Sequence, residues 1–195
     1  GGENINYGWA QIINLNNSDG QWSVDLNLDS YYLRPEILKQ VIFTKDMNGN
    51  NLLNPDTLLI VASYSSNFVF GPVTASAFVR NDQNSSWNET TIFEGSLPAG
   101  ESYSIRDMEL YTDSITGTEH LLVSVGTKGI FSGKYNANIE GKIDWDLEPE
   151  ISSLNMRPLG IETVNNALYF SSGNKIYLRN DGINPSYSVV HDFSD

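Results

Sequence analysis

The sequence predicts an all-β protein, and three observations lead to that prediction. Short apolar runs of about strand length recur along the 195 residues, and each is bounded by residues that favour turns, such as Gly, Asn and Asp. Four such runs follow one another between residues 104 and 145. No long stretch has the apolar period of about 3.6 residues that marks an amphipathic helix, and the nearest helical candidate, residues 35–40, is too short to stand alone.

The order of four runs occurs three times, and this repetition predicts how the strands are grouped. Each first run opens with an arginine, and an aliphatic residue stands four positions later; the arginines are Arg34, Arg106 and Arg157. Residues 10–14 and 22–26 form a half copy that matches the third and fourth runs only. Four strands per period of about 40 to 70 residues are typical of β-propeller blades. A β-sandwich whose strands resemble one another by accident is the alternative.

The repeat boundaries predict a single β-propeller unit of four-stranded antiparallel blades, about three and a half of them in this chain. The half blade covers residues 1–30, and the blades cover residues 31–100, 101–155 and 156–195. Because the first and second runs occur once less often than the others, we expect the chain to begin inside a blade. Uncovered blades would expose apolar side chains and strand edges. The expected partner is therefore the remainder of a larger propeller or another protein chain; a small closed ring of four blades is the alternative.

Composition and charge narrow the class of protein. The net charge is −13, which argues against nucleic acid as a partner, because a negative surface repels phosphate groups. A solvated acidic exterior is the simplest interpretation of that charge. No apolar run approaches the length of a membrane-spanning helix, so no membrane span is predicted. The absence of cysteine excludes disulfides and zinc–thiolate sites, and the Asn- and Ser-rich, Lys-poor composition favours an extracellular or secreted location.

The loop at residues 46–56 is the part of the sequence richest in possible metal ligands. Its oxygen-bearing side chains alternate around a glycine, and alternate positions in a tight turn direct such side chains inward, towards a hard cation. The loop resembles the calcium loops of EF-hands and of FG-GAP propellers. That resemblance implies a calcium site whose ligands would be Asp46, Asn48, Asn50 and Asp56. The alternative is a polar hairpin tip made of turn-forming residues.

Three turns between third and fourth runs share an Asp that precedes an aromatic residue. Residues 82–87 resemble the Asp-box turn of β-propellers, and Asp19 and Asp181 stand at the corresponding places before Trp22 and Tyr187. In such a turn we expect the Asp to accept backbone N–H groups and the ring to pack between sheets. Families with Asp-boxes include sialidases, other glycosidases and non-enzymatic receptors. The resemblance therefore supports the fold and leaves the activity open.

The arginines that open the first runs are the candidate ligand-binding residues. If the first run is the innermost strand of each blade, Arg34, Arg106 and Arg157 would converge at one end of the central channel. Guanidinium groups bind carboxylates and other anions through forked hydrogen bonds, and the arrangement resembles the arginine cluster of sialidase-type propellers. The alternative is that each arginine pairs with a nearby acid and only positions its blade.

Two functions from different classes are consistent with these features. The first is a non-catalytic extracellular module that binds a partner protein or a glycan, or serves as a structural subunit, with no catalytic residue assigned. The alternative is a glycosidase-like hydrolase that combines the arginine cluster with an acidic pair, either Glu148 with Glu150 or Asp144 with Asp146. An inward-facing acid with a raised pKa beside the arginines would favour the hydrolase.

Overall fold

The computed structural model confirms the all-β prediction for the part of the chain that it describes. This part consists of residues 11–15, 22–27, 33–52, 57–65, 73–79, 88–95, 105–125, 128–139, 142–148 and 158–194. Within these ranges the regular structure is antiparallel β-sheet without α-helix. The described residues accordingly contain no helix that is long and apolar enough to cross a membrane.

The strands of the described ranges fall into one hairpin and three four-stranded sheets. The hairpin consists of β1 (Gln11–Leu15) and β2 (Trp22–Asn27). The first sheet consists of β3 (Leu33–Ile42), β4 (Thr57–Ser65), β5 (Val73–Val79) and β6 (Asn88–Gly95). The second consists of β7 (Ile105–Thr112), β8 (Glu119–Val125), β9 (Gly129–Asn136) and β10 (Lys142–Leu147). The third consists of β11 (Pro158–Val164), β12 (Ala167–Ser172), β13 (Lys175–Asn180) and β14 (Ser186–Asp192). Neighbours in each sheet are also neighbours in sequence, so every sheet is an antiparallel meander.

Each four-stranded sheet has a β-bulge near the start of its first strand. The register shifts at three equivalent places, between Pro35 and Ile37, between Ile105 and Asp107, and between Pro158 and Gly160. The inserted residues are Glu36, Arg106 and Leu159. A bulge leaves its extra residue outside the ladder and bends the strand. Because the bulges recur at the same place, they provide a residue-by-residue alignment of the three sheets.

The three sheets pack face to face, with the second sheet in the middle. Strand β7 contacts β3 on one side and β11 on the other, and β10 also contacts β6. One apolar core lies between the first and second sheets and includes Phe43, Met108 and Leu121. The other lies between the second and third sheets and includes Leu122 and Phe170. Burial of each large apolar side chain contributes about 1.5–3 kcal/mol, so these cores hold the stack together.

The second and third sheets differ in how much of their surface is covered. All seven residues of β8 are buried, because both of its faces are packed. In β12 buried and half-buried residues alternate, because only the face that carries Leu168 and Phe170 packs against the second sheet. The other face of the third sheet, which we call the open face, carries five apolar residues together with the exposed Glu162, which pairs with Tyr169; the apolar residues are Val164, Ala167, Tyr169, Ile176 and Leu178. Each of the five apolar side chains is half-buried or exposed.

The bulge alignment shows what the open face corresponds to in the middle sheet. Its five apolar positions align, in the same order, with Tyr111, His120, Leu122, Ile130 and Ser132. All five of those residues are buried, on the face of the second sheet that the third sheet covers. The open face is therefore the counterpart of a face that another sheet buries within this same chain.

Candidate functional site

A group of ionisable side chains is buried where the second and third sheets meet. We call it the Arg179 cluster, and it consists of Arg179, Asp113, Asp181, Glu148, Tyr111 and Tyr187. Arg179 lies in β13, two residues after Tyr177, whose ring packs against the core between the two sheets. Only 1% of the Arg179 side chain is exposed. The cluster is thus part of the interface between sheets.

Strand ends place three acids around the guanidinium group of Arg179. Asp113 follows β7, Glu148 follows β10 and Asp181 follows β13, each directly. Nη1 of Arg179 donates to Oδ2 of Asp113 at 2.9 Å and to Oδ1 of Asp181 at 2.7 Å. Its Nη2 lies 3.6 Å from Oε1 of Glu148. The arginine therefore joins acids from two sheets.

Further donors allow three carboxylates to share one buried cation. Oδ1 of Asp113 accepts the backbone N–H groups of residues 115 and 116, and its Oδ2 accepts that of Gly182 at 3.1 Å. Oδ2 of Asp181 accepts the backbone N–H and the hydroxyl of Ser114 and the hydroxyl of Tyr111. Buried carboxylates are stable only when such hydrogen bonds replace the lost water. Here the β7–β8 and β13–β14 turns both supply donors.

The same network sets the protonation states of the acids. Burial alone would raise the pKa of Asp113, but the backbone N–H of Thr116 and the guanidinium of Arg179 outweigh it and hold that pKa well below its usual range. For Asp181 the opposing burial is likewise outweighed, mainly by Ser114 and Tyr111, and the pKa is lowered. Both groups are therefore ionised at neutral pH.

Burial keeps the other titratable side chains of the interface uncharged. Burial, followed by the neighbouring Asp181, raises the pKa of Tyr111, and burial and Glu148 do the same for Tyr187. His120 belongs to the same face of the second sheet, and burial lowers its pKa to about 4, with a further contribution from the positive charge of Arg179. Near pH 7 the tyrosines are protonated and the imidazole is uncharged.

A smaller polar contact joins the first and second sheets at the β7–β8 hairpin. The carboxylate of Glu119, at the start of β8, accepts the backbone N–H of Thr44 at 2.7 Å and of Lys45 at 3.0 Å. Nζ of Lys45 donates to the carbonyl oxygen of Gly117 at 2.9 Å. The β7–β8 hairpin therefore binds a neighbour on each side, through Glu119 on one and Asp113 on the other.

The geometry of the Arg179 cluster suits the joining of sheets. A general acid or base must exchange a proton with a substrate, whereas the acid side chains of the cluster are at most 7% exposed and already bonded. The lowered pKa values of Asp113 and Asp181 are the opposite of the raised pKa that identifies a catalytic acid. We therefore assign the cluster a structural role between sheets.

The predicted acidic pairs are placed in different surroundings. Glu148 belongs to the cluster, and Glu150 lies outside the described residues. Oδ2 of Asp144 accepts a hydrogen bond from Nδ2 of Asn136 at 2.7 Å, while Asp146 is exposed. The hydrolase alternative stays a prediction.

The predicted arginine cluster is only partly covered by the structure. Arg34 and Arg106 both lie on the first strand of their sheets, and Arg157 lies outside the described residues. In the bulge alignment Arg106 is equivalent to Glu36, which is two positions after Arg34. The side chain of Arg106 is exposed. Anion binding by these arginines stays a prediction.

The predicted calcium loop is a tight turn in its described part. Oδ1 of Asp46 accepts the backbone N–H groups of Asn48 at 2.9 Å and Asn50 at 2.8 Å, and its Oδ2 accepts Nδ2 of Asn50. Asp56, the fourth predicted ligand, lies outside the described residues. Within the described part of the chain no group of three or more histidine or acidic side chains is arranged to hold a metal ion. Calcium binding stays a prediction.

The turn that begins at Asp181 differs from the Asp-box expectation in one respect. Its carboxylate was expected to bind backbone N–H groups of its own turn, but it binds Ser114 and Tyr111 of the neighbouring sheet. The aromatic residue behaves as expected, because Tyr187 packs edge-on against Phe170 in the core between sheets. The turn thus acts between sheets.

Sequence reasoning missed Asp113, although a signal was present. The β3–β4 and β7–β8 turns both contain an Asp whose side chain accepts the N–H two residues later, and both contain a glycine with positive φ. These glycines are Gly49 (φ 80°) and Gly117 (φ 69°). An Asp followed three or four residues later by a Gly in a turn is therefore the sequence signal that could have found Asp113.

Comparison with known proteins identifies no relative, because no family model, no curated protein and no solved structure matches the chain.

Proposed function

We propose that this chain is a non-catalytic assembly module whose open face binds a further β-sheet. The observation that carries the proposal is the contrast between β8, which is buried along its whole length, and β12, which is buried on one face only. A sheet face that leaves several apolar side chains uncovered is a typical site of protein association. The counterpart of this face in the second sheet is buried by a neighbouring sheet, which supports the same mode of contact for the open face.

In this proposal the three sheets are blades of a β-propeller and the covering sheet belongs to the remainder of the ring or to another chain. The meander order, the recurring bulge and the face-to-face contacts of first strands support that arrangement. We further propose an extracellular location, from composition alone. Glycan and calcium binding are secondary proposals that rest on the sequence resemblances.

The test is whether association depends on the open face. Multi-angle light scattering over a range of protein concentrations would measure the mean molar mass of the wild type and of Leu178→Asn, which places a polar group of similar size on that face. Ile183→Asn is the matched control, because Ile183 is 89% exposed in the β13–β14 turn and lies off the open face. Thermal unfolding would check that both variants fold.

We expect the mass of the wild type and of Ile183→Asn to rise with concentration, and that of Leu178→Asn to rise less. A wild type whose mass stays that of one chain at every concentration would refute the assembly proposal. So would equal association of the two variants.

A further inference from the structure

The interface between the second and third sheets buries a histidine beside the Arg179 cluster. His120 lies in β8 on the face that packs against the third sheet, and only 7% of it is exposed. Its Nδ1 lies 2.7 Å from Oγ of Ser132 in the adjacent strand. Tyr111 is its cross-strand partner in the register of β7 and β8. Separation of the third sheet would therefore bring this imidazole into contact with water.

Charged and titratable groups approach His120 from both sheets. From its own sheet these groups are Tyr111, Asp113 and Lys134. From the third sheet they are Arg179 and Asp181. Glu148 and Tyr187 complete the network around Arg179. A proton added to His120 would thus enter a site that is closed to water and already contains a guanidinium group.

We propose that the contact between the second and third sheets is a pH-sensitive clasp, closed at neutral pH and opened by protonation of His120 as the pH falls below about 6. The proposal is independent of the proposed assembly function, because it concerns a contact inside the chain. Opening would expose the second-sheet face that carries Leu122 and Ile130, which is the counterpart of the open face.

The direction of the pH effect follows from linkage. The pKa of His120 is about 4 in the closed interface and about 6.5 for an imidazole in water. The open state therefore binds more protons than the closed state between these values, and acid favours opening. The carboxylates of Asp113 and Asp181, with lowered pKa values, act in the same direction at still lower pH. The tyrosines and Arg179 do not change charge in this range.

Hydrogen exchange measured by mass spectrometry tests the proposal on the intact chain. Exchange would be compared at pH 7.5 and pH 4.5 after correction for the intrinsic rate at each pH. For strands β11 to β14 we expect the ratio of open to closed states to rise roughly 70-fold at the lower pH. Strands β3 to β6 of the first sheet should change much less, because the core between the first and second sheets contains none of these groups.

The two histidines of the chain provide a matched pair of variants. His120→Gln keeps a polar group next to Ser132 but cannot be protonated, so most of the pH dependence of the third sheet should disappear. His191→Gln alters an exposed histidine of β14 and should behave as wild type. A pH dependence that persists in His120→Gln would overturn the proposal. Equal loss of protection in all sheets would also overturn it, because that outcome is global unfolding.

A titration of the wild type by NMR covers the case in which His120→Gln does not fold. The imidazole of His120 should titrate well below pH 6.5, and its titration should coincide with loss of third-sheet protection. If His120 titrates near pH 6.5 while the third sheet stays protected, its protonation does not require the contact between the second and third sheets to open, and the proposal fails.

Discussion

Replacement of Arg179 by methionine is the most informative single change in this structure. Methionine keeps much of the length and apolar volume of the arginine side chain but removes its charge and donors. The three acids around it would remain buried, because Asp113, Asp181 and Glu148 are fixed by other hydrogen bonds. We expect Arg179→Met to destabilise the folded chain strongly.

The size of the effect follows from the geometry of the cluster. Removal of one partner of a buried ion pair typically costs about 3–5 kcal/mol, because the remaining charge is left uncompensated. Arg179 has two acids at 2.9 and 2.7 Å and a third at 3.6 Å. The backbone and hydroxyl donors that remain at Asp113 and Asp181 offset part of the loss, so we expect about 3–5 kcal/mol in total and not a multiple of it.

Urea denaturation followed by circular dichroism would measure the free energy of unfolding of each variant. Lys175→Met is the matched control: Lys175 lies on the same strand and pairs with Asp192 at 3.1 Å, but both side chains are 41% exposed. Exposed ion pairs contribute little, so the control should unfold like the wild type. Equal midpoints for the two variants would refute the assignment of the cluster as a major contact between sheets.

The pH dependence of Arg179→Met gives a second check. Without the guanidinium, the buried carboxylates would have raised pKa values, so the folded variant would take up protons more readily than the unfolded chain and gain stability as the pH falls. The difference in the free energy of unfolding between the wild type and the variant should therefore be smaller at pH 4.5 than at pH 7.5. A difference that stays constant or widens would contradict this electrostatic explanation.

Two further predictions concern packing and metal binding. Gly133→Ala should lower the free energy of unfolding by about 1–3 kcal/mol, because a Cβ there would lie 2.6 Å from side-chain atoms of both Ile143 and Trp145. Gly160→Ala is the control and should change the free energy of unfolding little, because the nearest atom to its Cβ would be at an ordinary contact distance of 3.5 Å. Equal changes in the two variants would contradict the close packing at Gly133. Titration calorimetry with calcium should give a weak binding heat that Asp46→Ala abolishes, because Asp46 is the first predicted ligand; no heat, or equal heats, would dispose of the site.

The strands could be predicted from sequence because turn residues and apolar runs are local signals. The run from Leu121, for example, falls within β8 (Glu119–Val125), and the run from Lys175 begins β13. The relative placement of the arginines could not be fixed in this way. Whether Arg106 is in the ladder or is the inserted residue of a bulge depends on its partner strand, and spacing along one strand carries no information about that.

The Arg179 cluster was missed for a related reason. Arg179 and Asp113 are 66 residues apart, and each looks unremarkable in sequence, an arginine near a strand end and an Asp in a turn. Turn chemistry predicts that such an Asp binds its own turn, which Asp113 does through Oδ1. Its other oxygen is left for a partner that only the packing of the sheets can supply.

Hydroxyl-radical footprinting of the associated protein tests the central claim most directly, namely that the open face binds a further sheet. Oxidation would be compared in dilute and concentrated samples of the wild type. We predict that protection on association is concentrated on Tyr169, Ile176 and Leu178 of the open face. Protection confined to the exposed turn residues Ile115 and Ile183, with the open face oxidised equally in both samples, would contradict the account.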